Sequence, residues 1–160
     1  MGARVTELVR YRIGQIADEL GVSTRTLRYY EELGLLKPSG YSTGGSRRYG
    51  DDDRARIVRI RELQSVMGFN LDEIGAILSS EDRLEQLKSE VHKGVTPKRH
   101  KAIVAEAMRL NAQMQAQVLS KIAVLNTFEA ELKDKEARYR ARAAELGVEI
   151  PDSVTEPLVR

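Results

Sequence analysis

Cysteine is missing from all 160 residues, which removes disulfides, thiolate metal sites, iron–sulfur clusters and cysteine catalysis together. Tryptophan is also missing and aromatics are scarce at 5%, so a rigid all-β barrel is a poor fit and a helical protein with a small core is a good one. No apolar run approaches the roughly eighteen residues of a membrane span. The N-terminal stretch MGARVTELVR has no apolar signal segment either, so a cytoplasmic protein without a membrane partner is expected. Only two histidines occur, His92 and His100, with Gly94 and Pro97 between them, a poor spacing for a metal site. Scattered Ser, Asp and His residues supply no set of nucleophile, base and orienting group, which argues against an enzyme. No metal or cofactor is expected, and whether a small-molecule effector exists is left open.

What is present is uneven charge. The formal net charge is +2, yet between Ser23 and Arg61 nine cations (Arg25, Arg28, Lys37, Arg47, Arg48, Arg54, Arg56, Arg59, Arg61) face five acids. Eight of the nine are Arg, whose planar fork suits phosphates and guanine edges. Arg54, Arg56, Arg59 and Arg61 point around more than one face of a helix, so two of them at most are expected to reach a polyanion.

Apolar spacing predicts two short helices between Ile13 and Leu36, one built on Ile13, Ile16, Ala17 and Leu20, the next on Leu27, Tyr30 and Leu33. Gly21-Val22-Ser23 joins them: Gly21 can close the first helix left-handed, and Ser23 or Thr24 can cap the second. Two helices on a three-residue turn make a helix-turn-helix. Slim Ala17 lies where the second helix crosses, leaving Arg25, Thr26, Arg28 and Tyr29 outward. Pro38 ends this part, and the Gly/Ser run from Ser39 to Ser46 is a turn. Leu35–Lys37 and Arg47–Tyr49 are expected to pair across it as a hairpin wing. That run has no Lys after its last Gly, so it is not a nucleotide-binding loop. Asp51, Asp52 and Asp53 open the following helix, where carboxylates complement its positive end; about 100° apart in phase, they do not converge on one metal ion. That helix should run through Ile57, Ile60, Leu63 and Val66 and stop at Gly68, with a further helix capped near Asn70.

Ser79–Val95 reads as a short helix or linker, giving boundaries of 1–10 for an N-terminal arm, 11–79 for the head and 80–95 for the connection. Thr96-Pro97 starts a new helix, and no Pro or Gly interrupts it before Gly147. At 96–146 such a helix spans about 75 Å, too long to bury itself on so small a head. Its apolar positions are Ile103, Ala107, Leu110, Met114, Val118, Ile122, Leu125, Phe128 and Leu132. The first four keep heptad spacing, 110 to 114 to 118 to 122 gives three successive steps of four, and Ile103, Met114 and Leu125 lie eleven apart. This is a coiled-coil seam with a stutter, expected to pair with the same helix of a second copy. The tail 147–160 is expected to be disordered.

The motifs Arg12-Ile13-Gly14-Gln15-Ile16-Ala17, Gly21-Val22-Ser23, Arg25-Thr26-Leu27-Arg28-Tyr29-Tyr30-Glu31, Gly34-Leu35-Leu36-Lys37-Pro38, Gly44-Gly45-Ser46-Arg47-Arg48-Tyr49 and Gly68-Phe69-Asn70-Leu71-Asp72-Glu73-Ile74 resemble the MerR family of transcriptional regulators. They stand in family order through the N-terminal half. The resemblance implies a mostly α fold: a winged helix-turn-helix DNA-binding head, then a long helix forming an antiparallel coiled coil in a homodimer. It implies binding to palindromic operators inside promoters with over-long spacers, bending and untwisting double-stranded DNA so that RNA polymerase engages both promoter elements. Two departures stand out, Ser46 where the family wing usually has Tyr, and the atypical stretch Ser79–Val95.

Carried over residue by residue, the resemblance places Arg25 and Arg28 at base edges or phosphates and Thr24, Thr26, Tyr29 and Tyr30 at the DNA backbone. Arg47 and Tyr49 grip phosphates from the wing, and Arg12 and Lys37 add contacts. Spacing alone leaves Tyr30 open, since its register with Leu27 and Leu33 also suits the core. An architectural or excisionase-type DNA-bending protein and a coiled-coil interaction scaffold are the alternative readings.

Overall fold

The computed structural model describes residues 11–149. The expected arm 1–10 and the tail beyond residue 149 lie outside them. The chain divides into two compact units, one to Met114 and one from Gln115.

In the first unit α1 (Ile13–Leu20) and α2 (Thr24–Glu32) form the expected helix-turn-helix. Gly21 takes φ +61° and closes α1, a conformation that a side chain disfavours. Ser23 caps α2 by accepting from the Thr26 amide at 3.0 Å, a contact worth about 1 kcal/mol in typical helices. Ile16, Ala17, Leu27 and Tyr30 are buried between the two helices and the rest of the head.

The wing forms, but not from the expected strands. Gly40–Tyr41 (β1) pairs antiparallel with Arg47–Arg48 (β2), Gly40 opposite Arg48 and Tyr41 opposite Arg47. Leu35–Lys37 is no strand, because the Leu35 and Leu36 amides both donate to the Tyr30 carbonyl at the end of α2, and both side chains are buried. Tyr49 instead bridges to Tyr11 through two backbone hydrogen bonds.

Helix α3 (Asp51–Arg61) opens as expected on three acids. Asp53 does more than complement the helix end: one oxygen accepts from the Gly50 amide at 2.8 Å, the Ser39 amide at 3.1 Å and the Ser39 hydroxyl at 2.5 Å. The carboxylate thus ties the base of the wing to α3. Residues Glu62–Val66 continue α3 as a π-helical segment, ended by Gly68 at φ +68°.

Helix α4 runs unbroken from Leu71 to His92 behind an Asn70 cap, which corrects the expected break near Ser80. Ser80 is buried in the helix and its hydroxyl donates to the Ala76 carbonyl one turn back, so its polar group is satisfied without the chain leaving the helix. Helix α5 spans Pro97–Leu146 as a single helix of 50 residues, with the Thr96 hydroxyl accepting from the Arg99 amide. Arg83–Glu106 (2.6 Å) and Arg99–Glu90 (2.7 Å) link α4 to the start of α5. Among the described residues no helix is long and apolar enough to cross a membrane.

Ile103 is buried within its own chain and Met114 packs on the head's core. Ile103 is therefore not free for a partner, which corrects its place in the expected seam. Ala107 and Leu110 are half-buried. In the second unit Val118, Ile122, Leu125, Phe128 and Leu132 are all exposed on the helix.

Candidate nucleic-acid interface

The outer face of α2 begins with Ser23 and Thr24 and continues through Arg25, Arg28, Tyr29 and Glu32. With Thr26 these residues line an open cleft of about 670 Å³. Arg28 also lines a second cleft of about 530 Å³ with Arg12, Ile13, Ser46, Arg47 and Arg48. Three elements separated in sequence (the residue before α1, the middle of α2 and the wing) thus deliver five arginines to adjoining concavities.

Helical phase explains the α2 contribution: Leu27 and Tyr30 turn inward, so Arg25, Arg28 and Tyr29 turn out. Arg12, Arg25, Arg28 and Arg48 make no ion pair among the described residues. The Thr26 hydroxyl is shared with the Ser23 hydroxyl at 2.8 Å, so part of its capacity is spent on the cap. Unpaired guanidiniums on a concave surface raise the local positive potential and suit a polyanion.

The remaining arginines are committed elsewhere. Arg54 pairs with Glu19 at 2.6 Å and Arg56 grips Asp82 through both nitrogens at 2.5 and 2.9 Å. Arg59 pairs with Glu81 and Glu62, and Arg61 donates to the Leu20 carbonyl. Those four cations hold α3 to its neighbours, and neither basic cleft includes them.

Two expected contacts are corrected by burial. Tyr30 is 3% exposed and its hydroxyl donates to Gln64 at 3.1 Å, which places it in the core. Tyr49 is fully buried and its hydroxyl donates to Glu31 at 2.5 Å. Burial first, then the Glu31 hydrogen bond and charge, hold that hydroxyl well above the ordinary tyrosine range. Neither ring can meet a phosphate. Lys37 is exposed but lies beside Asp52, Asp53, Arg56 and Asp82, away from the basic clefts.

Two residues escaped the sequence reading. Arg48 lines the wing cleft, a contribution hidden by giving the wing's outward positions to its neighbours on either side. Glu31 is the more instructive case. One oxygen accepts from the Tyr49 hydroxyl and the other from Arg47 Nε at 2.8 Å. Residues 47 and 49 share a face of an extended strand, so a single carboxylate on α2 fastens both to the recognition helix. Nothing in local spacing signals a contact of that range.

The described residues hold no cluster of His, Asp or Glu fit for a metal ion.

A family model described as MerR HTH family regulatory protein matches residues 11–81. The chain is 30% identical over 123 residues to the HTH-type transcriptional regulator YfmP of Bacillus subtilis, covering 76% of this chain and 87% of that one. It is 48% identical over 71 residues to the transcriptional activator TipA of Streptomyces coelicolor, covering 42% of this chain and 26% of TipA. It is 39% identical over 77 residues to the mercuric resistance operon regulatory protein of Bacillus cereus, covering 48% of this chain and 58% of that protein. Against these last two, then, the likeness spans only part of the relative. Among solved structures, HiNmlR, a MerR family regulator lacking the sensor domain and bound to promoter DNA, superposes with a TM-score of 0.50 at 26% identity. That match covers 86% of this chain and 94% of HiNmlR.

Proposed function

Since the chain belongs to the MerR family of helix-turn-helix transcriptional regulators, we propose that its arginine clefts are the surface that grips promoter DNA. The observation that carries this is the convergence of Arg12, Arg25, Arg28, Arg47 and Arg48 on adjoining concavities, while the cations of α3 are consumed internally. In this reading α2 enters the major groove, where Arg25 and Arg28 read base edges and Thr24, Thr26 and Tyr29 meet the sugar–phosphate backbone. Arg12, Arg47 and Arg48 hold flanking phosphates, and the wing positions the head.

Two chains pair through α5 and present their recognition helices to successive major grooves of a palindromic site, about 34 Å apart or a multiple of it. Bending the duplex between them costs on the order of 1–10 kcal/mol, offset by the phosphate contacts that the bend permits. The distorted promoter is then presented to RNA polymerase, in the cytoplasm. Any effector acts without thiol chemistry in this chain, which has no cysteine.

Binding to duplexes selected from random sequence tests this. Arg28→Ala should cost about 1–3 kcal/mol and relax base preference, whereas Arg47→Ala should weaken all sequences alike and lower the salt slope by about one. Arg54→Ala, which loses only the Glu19 pair, should bind as wild type does. Unchanged binding in the first two variants refutes the assignment.

A further inference from the structure

The end of α3 grips both helices of the helix-turn-helix from behind. Arg61, the last residue of α3, donates to the carbonyl of Leu20, where α1 closes. Three residues on, Gln64 Oε1 accepts from the Tyr30 hydroxyl of α2 at 3.1 Å. Arg61 acts at the same hydroxyl: burial pushes Tyr30 above the ordinary tyrosine range, and the Arg61 charge pulls it partly back. Two side chains about one turn apart thus meet both α1 and α2.

Gln64 stands in the π-helical segment Glu62–Val66, where the Met67 amide reaches back five residues to the Glu62 carbonyl at 3.2 Å. The Ser65 hydroxyl donates to the Arg61 carbonyl at 2.6 Å within the same stretch. Such widened turns are uncommon and gather at functional sites. Neither basic cleft includes this one. What it presents to the head is Gln64, joined to a Tyr30 ring that is almost wholly buried.

Helix α2 rests on the core through Leu27 and Tyr30. Apolar packing is non-directional, so it sets the depth of α2 more firmly than the helix's rotation or slide. A hydrogen bond at the far tip of the Tyr30 ring is directional and acts on a long arm. Rotation and slide decide what happens on the opposite face, because Arg25 and Arg28 need their forks placed to within about 0.5 Å to read base edges.

We propose that Gln64 is a positioning residue for DNA reading: through the Tyr30 hydroxyl it fixes the rotation of α2, and with it the discrimination that Arg25 and Arg28 exert between base pairs. The inference rests on the DNA reading above and adds a residue that touches no DNA. Glu31 fastens α2 to the wing; Gln64 fastens it to the connection between α3 and α4.

The test compares affinity for a selected duplex with affinity for the same duplex carrying one substituted base pair in each half-site, using the full chain. Tyr30→Phe and Gln64→Met should each reduce that ratio about three- to tenfold, the worth of one hydrogen bond, and the double variant should reduce it no further. Gln64→Glu keeps an acceptor for the hydroxyl and should keep the wild-type ratio. The dependence of binding on salt should be the same in all four variants, since no phosphate contact is removed. Gln64 is exposed, so its two variants decide the matter even where Tyr30→Phe lowers the yield of folded protein. A purely structural role would instead weaken binding to both duplexes alike and in step with the denaturation midpoint, which would overturn the proposal. Unchanged ratios in Gln64→Met, additive losses in the double variant, or a Gln64→Glu variant as poor as Gln64→Met would overturn it too while leaving the DNA reading intact. A wild-type chain that prefers no duplex sinks both.

Discussion

At the scale of single residues, Glu31 carries more than its exposed neighbours do. Its side chain is only 10% exposed and satisfies both the Tyr49 hydroxyl and Arg47, so it fastens the wing to α2 while Asp53 fastens the wing's base to α3. The raised Tyr49 value has a definite sign in stability. A tyrosine whose folded pKa exceeds its unfolded one, near 10, contributes stability that is present below about pH 10 and is lost as pH rises beyond it. Ultraviolet titration should therefore show Tyr49 ionising only as the head unfolds. In Glu31→Gln the negative charge is gone, and Tyr49 should ionise closer to the ordinary range. A variant whose alkaline transition matches wild type would contradict the role given to Glu31.

At the scale of elements, the junction of α4 and α5 is held by Arg83–Glu106 and Arg99–Glu90. Hydrogen bonds from Arg99 and Arg83 lower the pKa values of Glu90 and Glu106 respectively. Depressed carboxylate values contribute stability above the unfolded pKa near 4.3, lost as pH falls through the folded values. The denaturation midpoints of wild type and an Arg83→Ala/Arg99→Ala variant should thus differ at neutral pH and converge below about pH 4; a gap that persists in acid would contradict this.

Periodicity and caps made α1, α2 and the limits of α5 legible in sequence, because Gly21, Ser23 and Thr96-Pro97 act through neighbours a few residues away. The wing strands were misplaced because the Leu35 and Leu36 amides turn back to Tyr30, and Asp53 reaches across to Ser39. The length of α4 was obscured by a serine pair whose second member bonds back into its own helix. At the site, helical phase identified Arg25 and Arg28, whereas the diversion of Arg54, Arg56, Arg59 and Arg61 into ion pairs and carbonyl contacts depends on acids and carbonyls brought near only by folding.

At the scale of the whole molecule, the head offers one positively charged surface, and a single such surface binds DNA without distorting it from two sides. Regulation by distortion requires two surfaces at a fixed separation on one duplex, supplied here by the proposed pairing of α5. The most direct test is resonance energy transfer between dyes at the two ends of a selected operator duplex, followed as protein is added. The account predicts that transfer rises as the ends approach and saturates at two chains per duplex. Saturation at one chain, or two bound chains with the end-to-end distance unchanged, would contradict it.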